Sequence, residues 1–267
     1  TAGIPFTISL NYGECYQLQT VNGGENLSGA IVEAISGTDK FAVYSGHNCA
    51  LVEFSAAYDP LYEVEYPVYT WGTEHIVLPM ENTPHSLYQV VFEQNSSDLY
   101  VNGVFMGSFD QGDFFQDTLS YVKVISGNNP IKVTQFMPSS GLTSGGSGPG
   151  DGDPSMTGIL PNKQMLLDSV TFMQLDGYID SGWVSVVTRT TDTTTVNLNG
   201  TTLTEWTPVA QLPFYSYTIK PTAVGSNNIN TTGCGFLAYS YGMGDRESYY
   251  YTTGAVFNSI DDSIFFD

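Results

Sequence analysis

The sequence predicts an all-β protein, built from repeated antiparallel units packed as sandwich-like or blade-like lobes with pseudo-symmetry. Three observations carry that expectation. Apolar and polar residues alternate along much of the chain, two Asn-Gly turns sit between alternating runs, and the blocks holding those turns recur in one order.

The alternation shows in Phe6, Ile8 and Leu10 against Thr7, Ser9 and Asn11, and in Tyr215, Tyr217 and Ile219 against Ser216, Thr218 and Lys220. A period of two sends successive side chains to opposite faces of a strand, which predicts sheets with one wet face. Helical periodicity is nearly absent, and its best candidate, Lys163 to Asp168, is at most a short turn. Asn102-Gly103 and Asn199-Gly200 each predict a tight hairpin, because Asn-Gly best tolerates positive φ at both central turn positions.

Laying the hairpins over one another exposes the repeat. One unit runs LYQVVFEQ, SDLYVNGVFMGSF, DFFQDTLSYVKVIS and NNPIKVTQF; another runs WVSVVTRT, TTTVNLNGTTL, FYSYTIKP, NNINTTG and GFLAYSYG. A shortened unit without an opening hairpin reads FTISLNYGECYQL, LSGAIVEAIS and KFAVYSG. FAVYSG, IKVTQF and FLAYSY then occupy one strand position three times. Phe236 to Tyr241, apolar on both sides, belongs in a sheet covered on both faces. The expected division is a first lobe over 1–140, a Gly/Ser-rich surface loop over 141–158 and a second lobe over 159–267. The tail 255–267 either closes the fold within one chain or pairs with the edge of a neighbour.

A chain of 267 residues can bury a sizeable core without disulfide or metal staples. Apolar residues at 41% exclude general disorder, while charged residues are only 13%. Acids outnumber Lys and Arg by 27 to 7, a formal charge of −20 that repels phosphate backbones and anionic membranes. Nucleic-acid binding is thereby excluded, and other proteins, neutral glycans and divalent cations remain as partners. No apolar run reaches the roughly 18 residues of a membrane span, so membrane insertion is not expected. The start, TAGIPFTISL, has no basic or apolar leader and reads as a mature protein or an excised piece of a longer one. Cys15, Cys49 and Cys234 lie far apart with no C-x-x-C spacing, which leaves one disulfide plus a thiol, or three buried thiols.

No catalytic residue is assigned and no enzyme is expected. His47, His75 and His85 lie among strands and turns, no G-x-S-x-G elbow exists, and the neighbouring His47 and Cys49 lack the geometry of a base and nucleophile. Glu63 and Glu65 would share a strand face, where they read as solvated acids rather than a glycosidase pair. No cofactor is expected except Ca²⁺ at Asp151 and Asp153, where Asp-x-Asp between glycines can wrap oxygens around a hard cation. Sequons begin at Asn26, Asn95, Asn199 and Asn230; Asn26, Asn95 and Asn230 are the glycosylation candidates, since Asn199 opens a tight turn. In GMGDRESYYYTTG, Asp245, Arg246, Tyr249, Tyr250 and Tyr251 read as a binding patch, because tyrosine offers large contact area at low entropic cost. The competing reading has those rings covering the edge of the core.

The blocks YEVEYPVYTWGTEHIVLP, NNPIKVTQF, GDPSMTGILPNKQ, LNGTTLTEWTPV and GFLAYSYGMGDRESYYYTTG, in that order, give the chain from Phe6 to Gly254 a specific likeness. It resembles the N-terminal domain of the IgGFc-binding protein family. The resemblance implies a non-enzymatic extracellular domain of mucus and adhesive glycoproteins and of bacterial surface proteins. It marks Trp71-Gly72, Gly152 to Met156, Pro161, Gln164 and Tyr241-Gly242 as family positions with structural roles. Where family members commonly carry a second cysteine and Asp-His after the counterpart of Cys49, this chain reads Tyr58-Asp59-Pro60.

The expected function is that of a secreted or cell-surface adhesion or structural module. It would bind other extracellular proteins or glycans, or self-associate through sheet edges or the 255–267 tail into a mucus-like, adhesive or filamentous matrix. The alternatives are a carbohydrate-binding module with Tyr or Trp platforms such as Trp206 and, more weakly, a calcium-dependent hydrolase.

Overall fold

The structure, a computed structural model, describes residues 4–22, 24–37, 39–53, 58–139 and 152–258. It is all-β and sandwich-like. A hairpin, β1 (Tyr44–Ala50) and β2 (Asp59–Val64), precedes two larger units. The first unit holds β3 (Gly72–Val77), β4 (Ser86–Phe92), β5 (Ser97–Val101), β6 (Val104–Phe109), β7 (Phe114–Leu119), β8 (Lys123–Met137) and β9 (Ser155–Ile159). The second holds β10 (Ser169–Gln174), β11 (Ser181–Arg189), β12 (Asn197–Leu198), β13 (Thr201–Thr202), β14 (Thr207–Val209), β15 (Leu212–Pro221), β16 (Gly225–Asn230), β17 (Phe236–Gly244) and β18 (Glu247–Thr252).

The two units share one wiring plan. The start of β8 lies between β3 and β5, as β16 lies between β10 and β12. The end of β8 lies between β4 and β9, as β17 lies between β11 and β18. β4 pairs with β7 as β11 pairs with β15. Because β8 runs on through Asn128 to Pro130, the first unit is one curled seven-stranded sheet. The break between β16 and β17 divides the second into sheets of four and five strands.

Both Asn-Gly turns take the positive φ that a tight hairpin demands: 51° and 78° at Asn102 and Gly103, and 51° and 78° at Asn199 and Gly200. Each Asn also docks its hairpin. Asn102 N–H donates to Val124 O while its Oδ1 accepts from Val124 N–H, both at 2.8 Å. Asn199 makes the same reciprocal pair with Asn228, again at 2.8 Å.

The five-stranded sheet is covered on both faces. Val184, Val186, Phe236 and Ala238 point toward Phe172, Val196 and Ile229 of the second unit. Val187, Leu237, Tyr239, Tyr241 and Tyr250 point the other way, into a core shared with Tyr88, Val90, Phe92 and Val133 of the first. Burying each Val, Leu or Phe among these contributes roughly 1.5–3 kcal/mol. Two tyrosines of β17 also bond across the units: Tyr239 Oη accepts from Leu160 N–H and Tyr241 Oη from Glu81 N–H, each at 2.9 Å. Covering both faces overrides the expected wet face of β15, where Ser216 and Thr218 are the buried set and Tyr215, Tyr217 and Ile219 are half-buried against the first unit.

Three expectations are corrected. FAVYSG is not the counterpart of IKVTQF and FLAYSY, since Phe41 and Tyr44 are exposed and its strand portion belongs to the small β1–β2 hairpin. The described residues from 4 to 43 form no strand, and Phe6, Ile8 and Leu10 all face solvent. Alternation marks which sides of a strand suit water and core, but a strand also needs a partner for its backbone N–H and C=O groups. Residues 155–158, assigned to the surface loop, form most of β9 against β8. Residues 141–151 of that loop lie outside the described residues. At the other end, Phe257 packs its ring 4.8 Å from that of Tyr66, and Asn258 exchanges backbone bonds with the Gln164 side chain at 2.8 and 3.0 Å. Residues 259–267 of the tail lie outside the described residues.

The positions marked by the resemblance are structural here. Trp71 Nε1 donates to Tyr66 O at 3.1 Å, and the buried Gln164 amide donates to Thr70 O and Asn258 O. Tyr241 is buried, and a Cβ on Gly242 would stand 2.5 Å from the Tyr249 ring, so only glycine fits.

Candidate functional site

The sequence places its binding patch on the turn between β17 and β18. Asp245 and Arg246 do face solvent there, with Arg246 at a φ of 58°. The tyrosines that follow do not. β18 pairs with β17 through Tyr241↔Tyr250 and Gly242↔Tyr249, and it is flanked by β9 on the first unit and β10 on its own. Tyr249 and Tyr250 are only 9% and 8% exposed, and Tyr251 is half-buried. Their hydroxyls are spent on neighbouring strands: Tyr249 donates to Gln174 Oε1 at 2.5 Å and Tyr250 to Gln135 Oε1 at 2.7 Å in the interior, and Tyr251 to Met173 O at 2.6 Å nearer the surface. Burial raises the Tyr249 hydroxyl to about 12 and that of Tyr250 well above its ordinary value. The rings seal the core, and the expected patch shrinks to Asp245 and Arg246.

Beside this turn, Gly152 N–H donates to Gly244 O at 2.7 Å and Ser248 Oγ donates to Asp153 O at 2.6 Å. These bonds bring Asp153 near Asp59 and Glu247. Burial, then the charges of Asp59 and Glu247, push the Asp153 carboxyl up to about 6, against a smaller opposing pull from Arg246. Asp153 is 7% exposed, and its Oδ1 has no hydrogen-bond partner among the described residues. Asp151, its expected companion in a cation loop, lies outside the described residues, and among those described no three His, Cys, Asp or Glu side chains are grouped to hold a metal ion.

An exposed, stacked aromatic pair lies elsewhere, on the β1–β2 hairpin. Tyr44 and Tyr62 are 55% and 71% exposed, and their rings stack with centroids 5.1 Å apart and planes 9° from parallel. The register puts Gly46 opposite Tyr62, where a Cβ would strike the Leu61 carbonyl at 2.0 Å. The underside, Ala50, Val52 and Leu61, packs on Met156 with Leu87 and Phe136 and fixes the hairpin to the first unit. Sequence reasoning missed this pair because each tyrosine is one member of an alternating run, and only the strand register brings them together. Trp206 forms no platform: it is half-buried against the second core, and its Nε1 donates to Leu203 O at 3.0 Å.

Glu63 and Glu65 are not solvated acids. Glu63 Oε1 accepts from Thr157 Oγ1 at 3.3 Å and from Gly158 N–H at 3.4 Å, and burial raises its carboxyl above the usual range. Glu65 contacts the Lys132 ammonium and the Ser45 hydroxyl. Burial pulls the Lys132 amine down to about 8, with Glu63 opposing.

The remaining candidates stay apart. His75 is buried with Nδ1 and Nε2 at 2.9 and 3.2 Å from the carbonyls of Ile159 and Ile131, and burial lowers it to about 4. His85 pairs with Glu53 at 2.5 Å, and His47 Nδ1 accepts from Cys49 N–H at 3.1 Å. Asn26 and Asn95 are exposed, although Asn95 Oδ1 accepts from Gln111 N–H at 3.0 Å. Asn230 is half-buried in β16, with its amide bonded to Asn197 and Asn228. Cys15, Cys49 and Cys234 are free and exposed, which corrects both the disulfide and the buried-thiol readings. They sit on the strandless N-terminal stretch, on β1 and on the turn before β17, each on the solvent side of its segment.

The sequence profile of the family described as IgGFc binding protein matches residues 1–242. No curated protein matches the chain. Among solved structures, the chain is similar to the apo lectin of Pleurotus ostreatus, at 14% identity over 73% of this chain and 82% of that one, with a TM-score of 0.22. It is similar to the Pleurotus ostreatus lectin in complex with GalNAc, at 14% identity over 68% and 75%, with a TM-score of 0.21. A likeness to the β-D-glucuronidase of Dictyoglomus thermophilum has 7% identity over 82% and 44%, with a TM-score of 0.18.

Proposed function

Because the chain belongs to the IgGFc-binding protein family, we propose that it is a non-enzymatic extracellular or cell-surface module that binds other proteins or assembles into an adhesive, mucus-like or filamentous matrix. The family match over residues 1–242 is the observation that carries the reading. The fold supports it physically: Tyr249 and Tyr250 are spent on packing, while turns, hairpins and edges remain to meet other molecules. The net charge of −20 suits a basic protein surface or a neutral glycan better than a polyanion.

Recognition is assigned to the outer face of the β1–β2 hairpin, where Tyr44 and Tyr62 offer a rigid aromatic surface on a hairpin held from below. The same stacked pair favours a second reading, glycan recognition, because aromatic faces also suit sugar rings. Biolayer interferometry of wild type and Tyr44→Ala/Tyr62→Ala against immunoglobulin Fc and purified mucin, beside a glycan array, separates the two. Loss of protein binding in the double variant supports the first. Binding confined to free glycans replaces it with the second, and an undiminished double variant removes the hairpin face from both.

A further inference from the structure

We propose that Lys132 and Glu65 become joined by an intramolecular amide bond, formed by the folded protein itself and fastening the β1–β2 hairpin to β8. Lys132 projects from the middle of β8, and its Nζ contacts Oε2 of Glu65, which directly follows β2. The two side chains are only 14% and 22% exposed. The other Glu65 oxygen is held by the Ser45 hydroxyl of β1, and the Glu65 N–H donates to Val43 O at 2.8 Å. Glu63, two residues earlier, is fixed by Thr157 and Gly158 of β9 and interacts electrostatically with Lys132. Tyr66, Trp71, Val133 and Pro161 line the surrounding recess.

A lysine and a carboxylate in water do not condense, because the amine is protonated and the acid ionised. Burial disfavours charge, and Lys132 and the adjacent Glu63 are both displaced toward their neutral forms. Fixing amine and carboxyl in contact replaces a bimolecular encounter with an intramolecular one, for which effective molarities reach roughly 10⁵–10⁸ M. In the step, the neutral Lys132 Nζ attacks Glu65 Cδ, the Nζ–Cδ bond forms and the Cδ–Oε2 bond breaks. The oxygen leaves as water, carrying one proton from the carboxyl and one from the amine. Glu63 relays protons, taking one from nitrogen and giving one to the departing oxygen, so it ends unchanged. No oxidant, reductant or activated donor is consumed. The other lysine pairs differ: Asp117 beside Lys123 is 41% exposed, and Glu205 beside Lys220 is 82% exposed, so water keeps both as ion pairs.

Intact mass spectrometry of the purified chain tests this directly. The expected mass is about 18 Da below that of the sequence, with a branched proteolytic peptide joining residues 65 and 132. Lys132→Arg, folded by circular dichroism, is expected at its full sequence mass. Glu65→Gln is expected to reach the same final mass as wild type by expelling ammonia in place of water. Glu63→Gln is expected to slow the mass loss in freshly refolded protein; an unchanged rate removes Glu63 from the step. A wild-type chain at full mass, or a water loss mapped to any other residue, overturns the proposal whether or not the variants fold.

Discussion

Thr157 and Thr252 meet hydroxyl to hydroxyl at 3.3 Å where β9 of the first unit lies against β18 of the second. These strands hold equivalent places in the two units. Thr252 N–H donates to Thr157 Oγ1 at 3.1 Å, and Thr252 Oγ1 donates to Gly158 O at 3.1 Å. Thr252→Val keeps the shape and the backbone bond to Thr157 but removes the hydroxyl that serves Gly158 O and meets Thr157, so a loss of about 1 kcal/mol is expected. Urea unfolding should show a lower midpoint with an unchanged slope.

Tyr250 and Tyr62 should behave as opposites. The Tyr250 hydroxyl bonds Gln135, whose amide in turn donates to Leu78 O at 2.9 Å and Ser86 Oγ at 2.8 Å. Tyr250→Phe is therefore expected to cost about 1–2 kcal/mol, through an orphaned buried acceptor. Tyr62→Ala, on an exposed face, should stay within about 0.5 kcal/mol of wild type. Thermal melts of the two single variants check this contrast.

Asn102→Ala and Asn199→Ala should destabilise by similar amounts, roughly 1–2 kcal/mol each. Each loses a side-chain acceptor for a neighbouring backbone N–H and puts alanine at positive φ. The hairpins lie in different units, so the double variant should cost close to the sum. Clearly unequal single losses would contradict the equivalence of the two dockings, and a strongly non-additive double variant their independence.

Asp153 sets a pH dependence. Its carboxyl is held near 6 in the folded chain, above its ordinary 3.8, so the fold favours the neutral form. The resulting stability is full below about pH 4 and is lost as the pH rises through 6. With screening around the cluster, roughly 1–2 kcal/mol is at stake. Asp153→Asn should raise the melting temperature at about pH 8 and leave it nearly unchanged at about pH 4. A variant whose advantage is the same at both ends would exclude Asp153 as the source.

The legible parts of the fold were those written in local chemistry. Asn102-Gly103 and Asn199-Gly200 announce their turns because backbone sterics alone select those residues. The strand pairs built around them followed in order, including the doubly covered β17. What depended on distant partners was not legible. Phe6, Ile8 and Leu10 have the pattern of a strand and no ladder to join. Tyr249 and Tyr250 resemble a sticky surface until β9 and β10 flank them. Glu63 and Glu65 resemble surface acids until β8 delivers Lys132 beneath them. The stacked Tyr44 and Tyr62 needed a register that spacing along the chain does not encode.

The tyrosines of β17 reach into the first unit to bond Leu160 and Glu81, so the interior of one unit is completed by side chains of the other. Cutting the polypeptide between the units would leave each fragment with an oily wall and orphaned amides. The smallest piece that can be expressed alone, grafted into a different protein or strung into a longer array is the intact pair.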